Sequence, residues 1–314
     1  MNIKHSITSG AALSLAAGLI LSGCGGGSES GTPAADKAGG AKPAAKVTIQ
    51  NKGSDTMVNV AGAWAAEYQK VDPTVAVEVG GGGSGVGIAA LIKGTIEIAN
   101  SSRNMKKEEI EQAKKNTGKE PKEIIVGYDA LAIYVNKDNP LNEISMEQLA
   151  QIYAEGGAVT KWSELGVTLP GVTDDTIKRV SRQSSSGTYE FFREHVLNKK
   201  DFKLGSLDMN GSKEVVELVG NTKTAIGYSG MGYNDPAKVK MLKVSVKTGQ
   251  PSVEVNVANT LSKKYPIARS LLVYTLGEPE GAIKQYTDWM LGDTGQKILE
   301  TVGYVPLPPE ARKK

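Results

Sequence analysis

The chain has 314 residues, with 37 basic against 34 acidic side chains and a formal net charge of +3. So mild an excess fits a solvated lysine surface and demands no nucleic acid. One cysteine leaves no disulfide framework, and with Cys24 spent on the anchor and His5 removed with the signal expected below, no Cys/His zinc site and no thiol nucleophile with a histidine base would remain. Only six of the basic residues are arginines, so their placing is informative: a guanidinium fork holds an oxyanion in a bidentate way that lysine cannot copy.

Lys4 and His5 precede an apolar stretch from Ala11 to Leu21, followed by Leu21-Ser22-Gly23-Cys24. The stretch is too short to span a bilayer permanently and reads as a secretory signal over residues 1–23. The small residues before Cys24 resemble the lipobox of bacterial lipoproteins, so Cys24 is expected to carry lipid as the mature N-terminus. Residues 24–46 are rich in Gly, Ala, Ser, Pro and Lys with no large apolar side chain, and read as a flexible tether. Processing would leave His195 as the one histidine, and its place within a helical pattern reads as packing or surface rather than chemistry.

Beyond the tether, strand and helix patterns alternate, which predicts an α/β protein with largely parallel sheets. Val47 to Gln50 reads as a strand ending at Gly53, and Val60, Ala61, Trp64, Ala65 and Tyr68 recur at helical spacing. Val75, Val77 and Val79 alternate as a strand, Gly80 to Gly83 break it, and Ser84 opens the helix marked by Ile88, Ala89, Leu91 and Ile92. Ile96 to Ala99 leads into Asn100-Ser101-Ser102-Arg103 at the carboxyl end of a strand, where open α/β sheets bind ligands. Lys106 to Lys115 is an exposed helix. Ile124 to Gly127 and Leu131 to Val135 are extended, with an interruption at Tyr128-Asp129-Ala130, and Ser145 with Gln148 forms a capping box. Arg179 to Arg182 ends a strand and Thr188 to Leu197 is the next helix. Ala225 to Tyr228 and Ala268 to Tyr274 are further strands, and helices come after them around Ile283 to Leu291 and Gln296 to Val302.

Three polar, glycine-rich segments stand at helix starts: Gly53-Ser54-Asp55-Thr56, Gly82-Gly83-Ser84-Gly85 and Ser184-Ser185-Ser186-Gly187-Thr188. Unpaired N–H groups, hydroxyls and the positive end of a helix dipole together bind an oxyanion without metal. Other readings of these segments fail. Gly80, Gly82 and Gly85 satisfy GxGxxG, but a glycine run does so cheaply and no acidic ribose partner succeeds it; Ile88 stands where a Walker lysine belongs; Val86 spoils GxSxG around Ser84.

The order Gly-Ser-Asp-Thr, Gly-Gly-Ser-Gly, Asn-Ser-Ser-Arg and Arg182-Gln-Ser-Ser-Ser-Gly-Thr-Tyr, with Ala225-Ile226-Gly227-Tyr228-Ser229-Gly230 later, resembles the phosphate-binding proteins of bacterial phosphate-specific ABC transporters. The resemblance runs from Val47 to Pro308. It implies a two-lobed periplasmic-binding-protein fold (type II) with mixed sheets and a hinge cleft. Lobe 1 would take residues 47–128 and 260–314, and lobe 2 residues 129–259.

The same resemblance implies that Arg182, Ser186, Gly187, Thr188 and Ser84 bind phosphate. In the other two segments the chain departs from many members. Asp55 and Thr56 replace a threonine followed by phenylalanine, and Ser102-Arg103 stands where the ligand's acidic acceptor is expected. A phosphate pocket needs one carboxylate to accept the ion's proton, since that group repels sulfate. Asp55 is expected to serve, with Arg103 balancing its charge and Ser54, Thr56 and Ser102 adding donors; Asp129 is the fallback acceptor.

These residues and the resemblance together lead to the expectation of a non-enzymatic, monomeric binding protein without cofactor or metal. It would be periplasmic or on the cell surface, anchored to the membrane, and would hand inorganic phosphate to an ABC permease of the inner membrane. Arsenate, sulfate or molybdate as the ligand, a secreted phosphatase, and an adhesion or sensory module are the alternatives; the phosphatase lacks a visible nucleophile with a base or paired metals.

Overall fold

The computed structural model describes residues 46–312. The signal segment, Cys24 and the tether up to residue 45 lie outside the described residues. In chain order the elements are β1 Val47–Gly53, α1 Val58–Val71, β2 Val75–Gly80, α2 Ser84–Ile92, β3 Ile98–Ser101, α3 Lys107–Thr117, β4 Pro121–Asn136, β5 Glu143–Ser145, α4 Met146–Tyr153, β6 Lys178–Arg182 and α5 Gly187–His195. Next come β7 Leu207–Met209, α6 Ser212–Gly220, β8 Ala225–Gly230, β9 Val239–Met241, β10 Lys243–Ser245, α7 Val257–Leu261, β11 Ala268–Leu276, α8 Gly281–Leu291 and α9 Asp293–Thr301.

The main sheet runs β2-β1-β3-β11-β4-β8-β6-β7, with β9 also on β4. β1 pairs parallel with β2 and β3, and β6 pairs parallel with β7 and β8. Each parallel set arises as helical crossovers return the chain to the same end of the sheet. β11 and β4 run antiparallel between the two sets.

The apolar residues gather on either side of these long strands. Ile49, Trp64, Ile98, Val126, Leu271 and Tyr286 belong to one core, with Ile88, Leu91 and Leu272 in a smaller cluster nearby. Ile133, Tyr153, Trp162, Phe192, Val216 and Tyr228 belong to another, drawn wholly from residues 130–267. β4 is therefore shared: Pro121 to Ala130 pair with β11, and Leu131 to Asn136 pair with β8 and β9.

The expected interruption at Tyr128-Asp129-Ala130 is corrected, because β4 passes through it unbroken. Asp129 sits directly opposite Arg269 and Ala130 opposite Ala268 in the β4–β11 ladder. The polar residue that reads as a strand break is matched by a cation on the neighbouring strand.

Candidate functional site

The carboxyl ends of β1, β3 and β6 point toward one place. Ser54 leaves β1 and donates its N–H to the Asn100 carbonyl at 2.9 Å, and its hydroxyl donates to Ser102 Oγ at 2.9 Å. Ser102 comes directly after β3, and its N–H donates to Ser84 Oγ at 3.1 Å, with the two hydroxyls 3.3 Å apart. Gly82 and Gly83 take φ of 103° and 98°, a left-handed backbone that lets the chain turn sharply into α2 with Ser84 as its first residue.

From β6 comes Arg182, entirely buried. Its guanidinium donates to the carbonyls of Met209 (3.3 Å) and Asn210 (3.0 Å) and to Ser212 Oγ (3.0 Å), so the 209–212 segment fixes its direction. The remaining contact is Asp55 Oδ2 at 2.9 Å. Burial draws this guanidinium below its ordinary pKa, and the Asp55 charge opposes that. Asp55 Oδ1 accepts the Gly82 N–H at 2.8 Å, and the Asp55 carbonyl accepts the Tyr233 hydroxyl at 2.7 Å.

Ser186 caps α5: its Oγ accepts the N–H groups of Thr188 (3.2 Å) and Tyr189 (3.4 Å), leaving its own hydrogen as a donor. Gly187 lies so close that a Cβ there would stand 2.3 Å from Ser84 Oγ and 2.8 Å from Ser102 Oγ. Only glycine admits that approach. Thr188 Oγ1 stands 2.9 Å from Thr56 Oγ1. Ser54, Asp55, Thr56, Ser84, Ser102, Arg182, Ser186, Gly187 and Thr188 are thus brought together.

Arg103 is not among them. Its guanidinium grips Glu109 with two bonds of 2.8 and 2.7 Å, so the expected Arg103–Asp55 balance is corrected to Arg182–Asp55. Arg103 follows Ser102, which faces the cluster, but Glu109, one turn into α3, takes up its guanidinium. Burial pushes Glu109 up, and the hydrogen bond from Arg103, the Lys106 N–H and the charges of both cations outweigh it, holding Glu109 below the usual carboxylate value. The first glycine-rich segment does not itself open a helix: α1 begins after Met57 with no side-chain cap, and Ser54 to Met57 form a turn closed by the Met57 N–H on the Ser54 carbonyl at 2.9 Å.

Sequence reasoning missed Arg269. Its Nε and Nη2 donate to Asp129 Oδ2 at 3.0 and 2.8 Å, Nη1 to Thr188 Oγ1 at 3.0 Å and to the Ser102 carbonyl at 3.4 Å, and Nη2 to Thr56 Oγ1 at 3.3 Å. Asp129 also accepts the Met231 N–H at 3.0 Å, and burial raises its carboxyl pKa against the pull of Arg269. A signal was there to be read: an arginine inside an apolar strand is rarely buried unless paired. Among the described residues no group of three or more His, Cys, Asp or Glu is placed to hold a metal ion.

A model of the PBP superfamily domain matches residues 29–294. The phosphate-binding protein PstS of Pseudomonas aeruginosa is 34% identical over 276 residues, covering 85% of each chain. The chain belongs to the PstS family of substrate-binding proteins. Another member, from Staphylococcus haemolyticus, is 30% identical over 308 residues, covering 95% of this chain and 92% of its own. Among solved structures, a Clostridium perfringens protein described as a phosphate ABC-transporter substrate-binding protein with bound phosphate superposes with a TM-score of 0.72 at 29% identity, over 83% of this chain and all of that one. An ABC-type phosphate transport receptor from Vibrio cholerae gives 0.64 at 26% identity, with the same coverage. The mixed α/β fold described above is that of the family.

Proposed function

We propose that this PstS-family chain captures inorganic phosphate between two lobes, residues 47–128 with 260–314 and residues 129–259, and delivers it to an ABC permease without bond chemistry. The observation that carries the reading is the meeting of Arg182, Ser186, Gly187 and Thr188, from one side of β4 and β11, with Ser54, Asp55, Thr56, Ser84 and Ser102 from the other. Donors supplied from both sides favour the shut form once an anion bridges them, which is the differential affinity that closure requires. Serine and threonine hydroxyls, the amides at the start of α5 and Arg182 supply positive potential, and Asp55 is the group suited to accept the ion's proton.

Isothermal titration with phosphate, arsenate and sulfate tests this. Phosphate and arsenate are expected to bind and sulfate to bind far more weakly. Asp55→Asn should lower the phosphate-over-sulfate ratio by about tenfold or more, about 1.4 kcal/mol. An unchanged ratio would remove Asp55 from the acceptor role.

Arg103, in contrast, supports the Ser102 turn through Glu109 rather than touching the ion. For localisation, the protein would act outside the cytoplasmic membrane, held by lipid on Cys24. No helix of the described residues is long and apolar enough to cross a membrane, and mass spectrometry of the mature N-terminus reads the anchor directly. An unmodified Cys24 would end that part of the proposal.

A further inference from the structure

Arg103 and Glu109, which stay out of the anion cluster, stand at the head of α3 beside a bond that crosses the cleft elsewhere. Lys106 Nζ donates to Glu190 Oε1 at 2.6 Å, with the ammonium half exposed and the carboxylate mostly covered. Other contacts across the cleft join the anion-binding segments themselves: the Ser185 hydroxyl donates to the Gly82 carbonyl at 3.0 Å, and the Gly85 N–H to the Ser185 carbonyl at 2.9 Å. Lys106 and Glu190 lie outside those segments.

The two residues are held by separate cores. Met105 and Ile110, on either side of Lys106, pack with Ile88 and Leu91, and the Lys106 N–H is pinned to Glu109 Oε2 at 2.8 Å. Phe191 and Phe192, directly after Glu190, belong to the other core, and the Glu190 N–H donates to the Ser186 carbonyl at 3.1 Å. Glu190 therefore rides one turn behind the amides that start α5. Its charge also reaches Arg103: burial lowers that guanidinium, and the hydrogen bond and charge of Glu109, with further contributions from Glu190 and Tyr274, hold it above its ordinary value. When the two cores part, Lys106 and Glu190 both return to water and their bond is lost.

We propose that Lys106 and Glu190 form a rim latch that slows phosphate release by favouring the shut form, without touching the ion. The proposal rests on the phosphate reading and adds to it a pair that sets the kinetics. A contact made in one form alone shifts the equilibrium by its own free energy. For an ion pair at an exposed rim that is a factor of about two to five. Glu190 makes the claim sharp, because the latch and plain electrostatics demand opposite signs. A carboxylate beside an anion site repels the ligand, so removing it should slow escape. Removing a latch should hasten it.

Release is read as the loss of radiolabelled inorganic phosphate from loaded protein diluted into excess unlabelled phosphate, by rapid filtration at low salt. Circular dichroism and urea midpoints establish that each variant is folded. Glu190→Gln is expected to speed release about two- to fivefold. In a Lys106→Gln background the same change should slow release slightly, since only the repulsion is left to remove. If Glu190→Gln slows release or leaves it unchanged in the parent, or speeds it equally in both backgrounds, the latch is overturned and phosphate capture stands.

Salt supplies a second measurement that needs no change at Glu190. Screening weakens an exposed pair, so between about 0.01 M and about 1 M salt release from the parent should quicken more than release from Lys106→Gln. Equal salt dependence of these two proteins overturns the latch even where Glu190→Gln does not fold. A parent protein that binds no phosphate overturns both readings.

Discussion

Arg182 meets Asp55 at 2.9 Å and Arg269 meets Asp129 at 2.8 Å, yet the chain reaches these two pairs by different routes. Arg269 and Asp129 are direct cross-strand partners, so the pair forms as soon as β4 and β11 find their register. Arg182 and Asp55 lie at the ends of β6 and β1, on elements that pack into separate cores, and meet only when those ends come together. One pair belongs to the frame and the other to the cleft. Ion-pair chemistry alone does not tell them apart; their place in the sheet does.

The comparison can be broken most forcefully at the frame. Asp129→Ala leaves the buried Arg269 charge without its carboxylate and is expected to destabilise the fold by about 3–5 kcal/mol, read as a lowered urea midpoint without ligand. Asp55→Ala should cost much less although Arg182 is buried, because that pair joins elements of separate cores whose parting lets water reach the guanidinium; similar losses at the two positions would erase the distinction. At the cleft, Arg182→Ala should weaken phosphate binding by about 2–5 kcal/mol in calorimetry.

A smaller effect is expected where the two sides touch most closely. Gly187→Ala places a methyl group within 2.3 Å of Ser84 Oγ, an overpacking worth about 1–3 kcal/mol. Its weight should fall on ligand affinity, measured by calorimetry, more than on the urea midpoint. If the midpoint drops and affinity holds, the contact belongs to the frame.

The smallest expected effect concerns Arg103 and Glu109, the pair excluded from the cleft. Glu109 is held below its ordinary value of 4.5. Its stabilising contribution is therefore complete above about that pH and is lost as pH falls through the lowered folded value. Glu109→Gln should remove this acid sensitivity from urea midpoints measured between about pH 6 and pH 3, with little change in phosphate affinity near neutrality. A large affinity change would return Arg103 to the cleft.

The α/β alternation and the two groups of polar junctions, with Arg182 at one of them, could be read from residue patterns, because glycine, serine and hydrophobic spacing act over a few neighbours. The same local reading misjudged Asp129. A carboxylate amid Ile124 to Val135 looks like a break until the strand beside it supplies Arg269. It also pairs Asp55 with the wrong cation: Arg103 is the expected partner, while Arg182, 127 residues away, closes the bond.

The sequence by itself determined which segments become strands and helices and which gather glycines and hydroxyl side chains at their junctions, since backbone preference and amphipathic spacing are properties of short stretches. Only the tertiary structure decided which guanidinium faces which carboxylate and which hydroxyls converge. Those choices are made across sheet ladders and between cores, where geometry over a few ångströms outweighs distance along the chain.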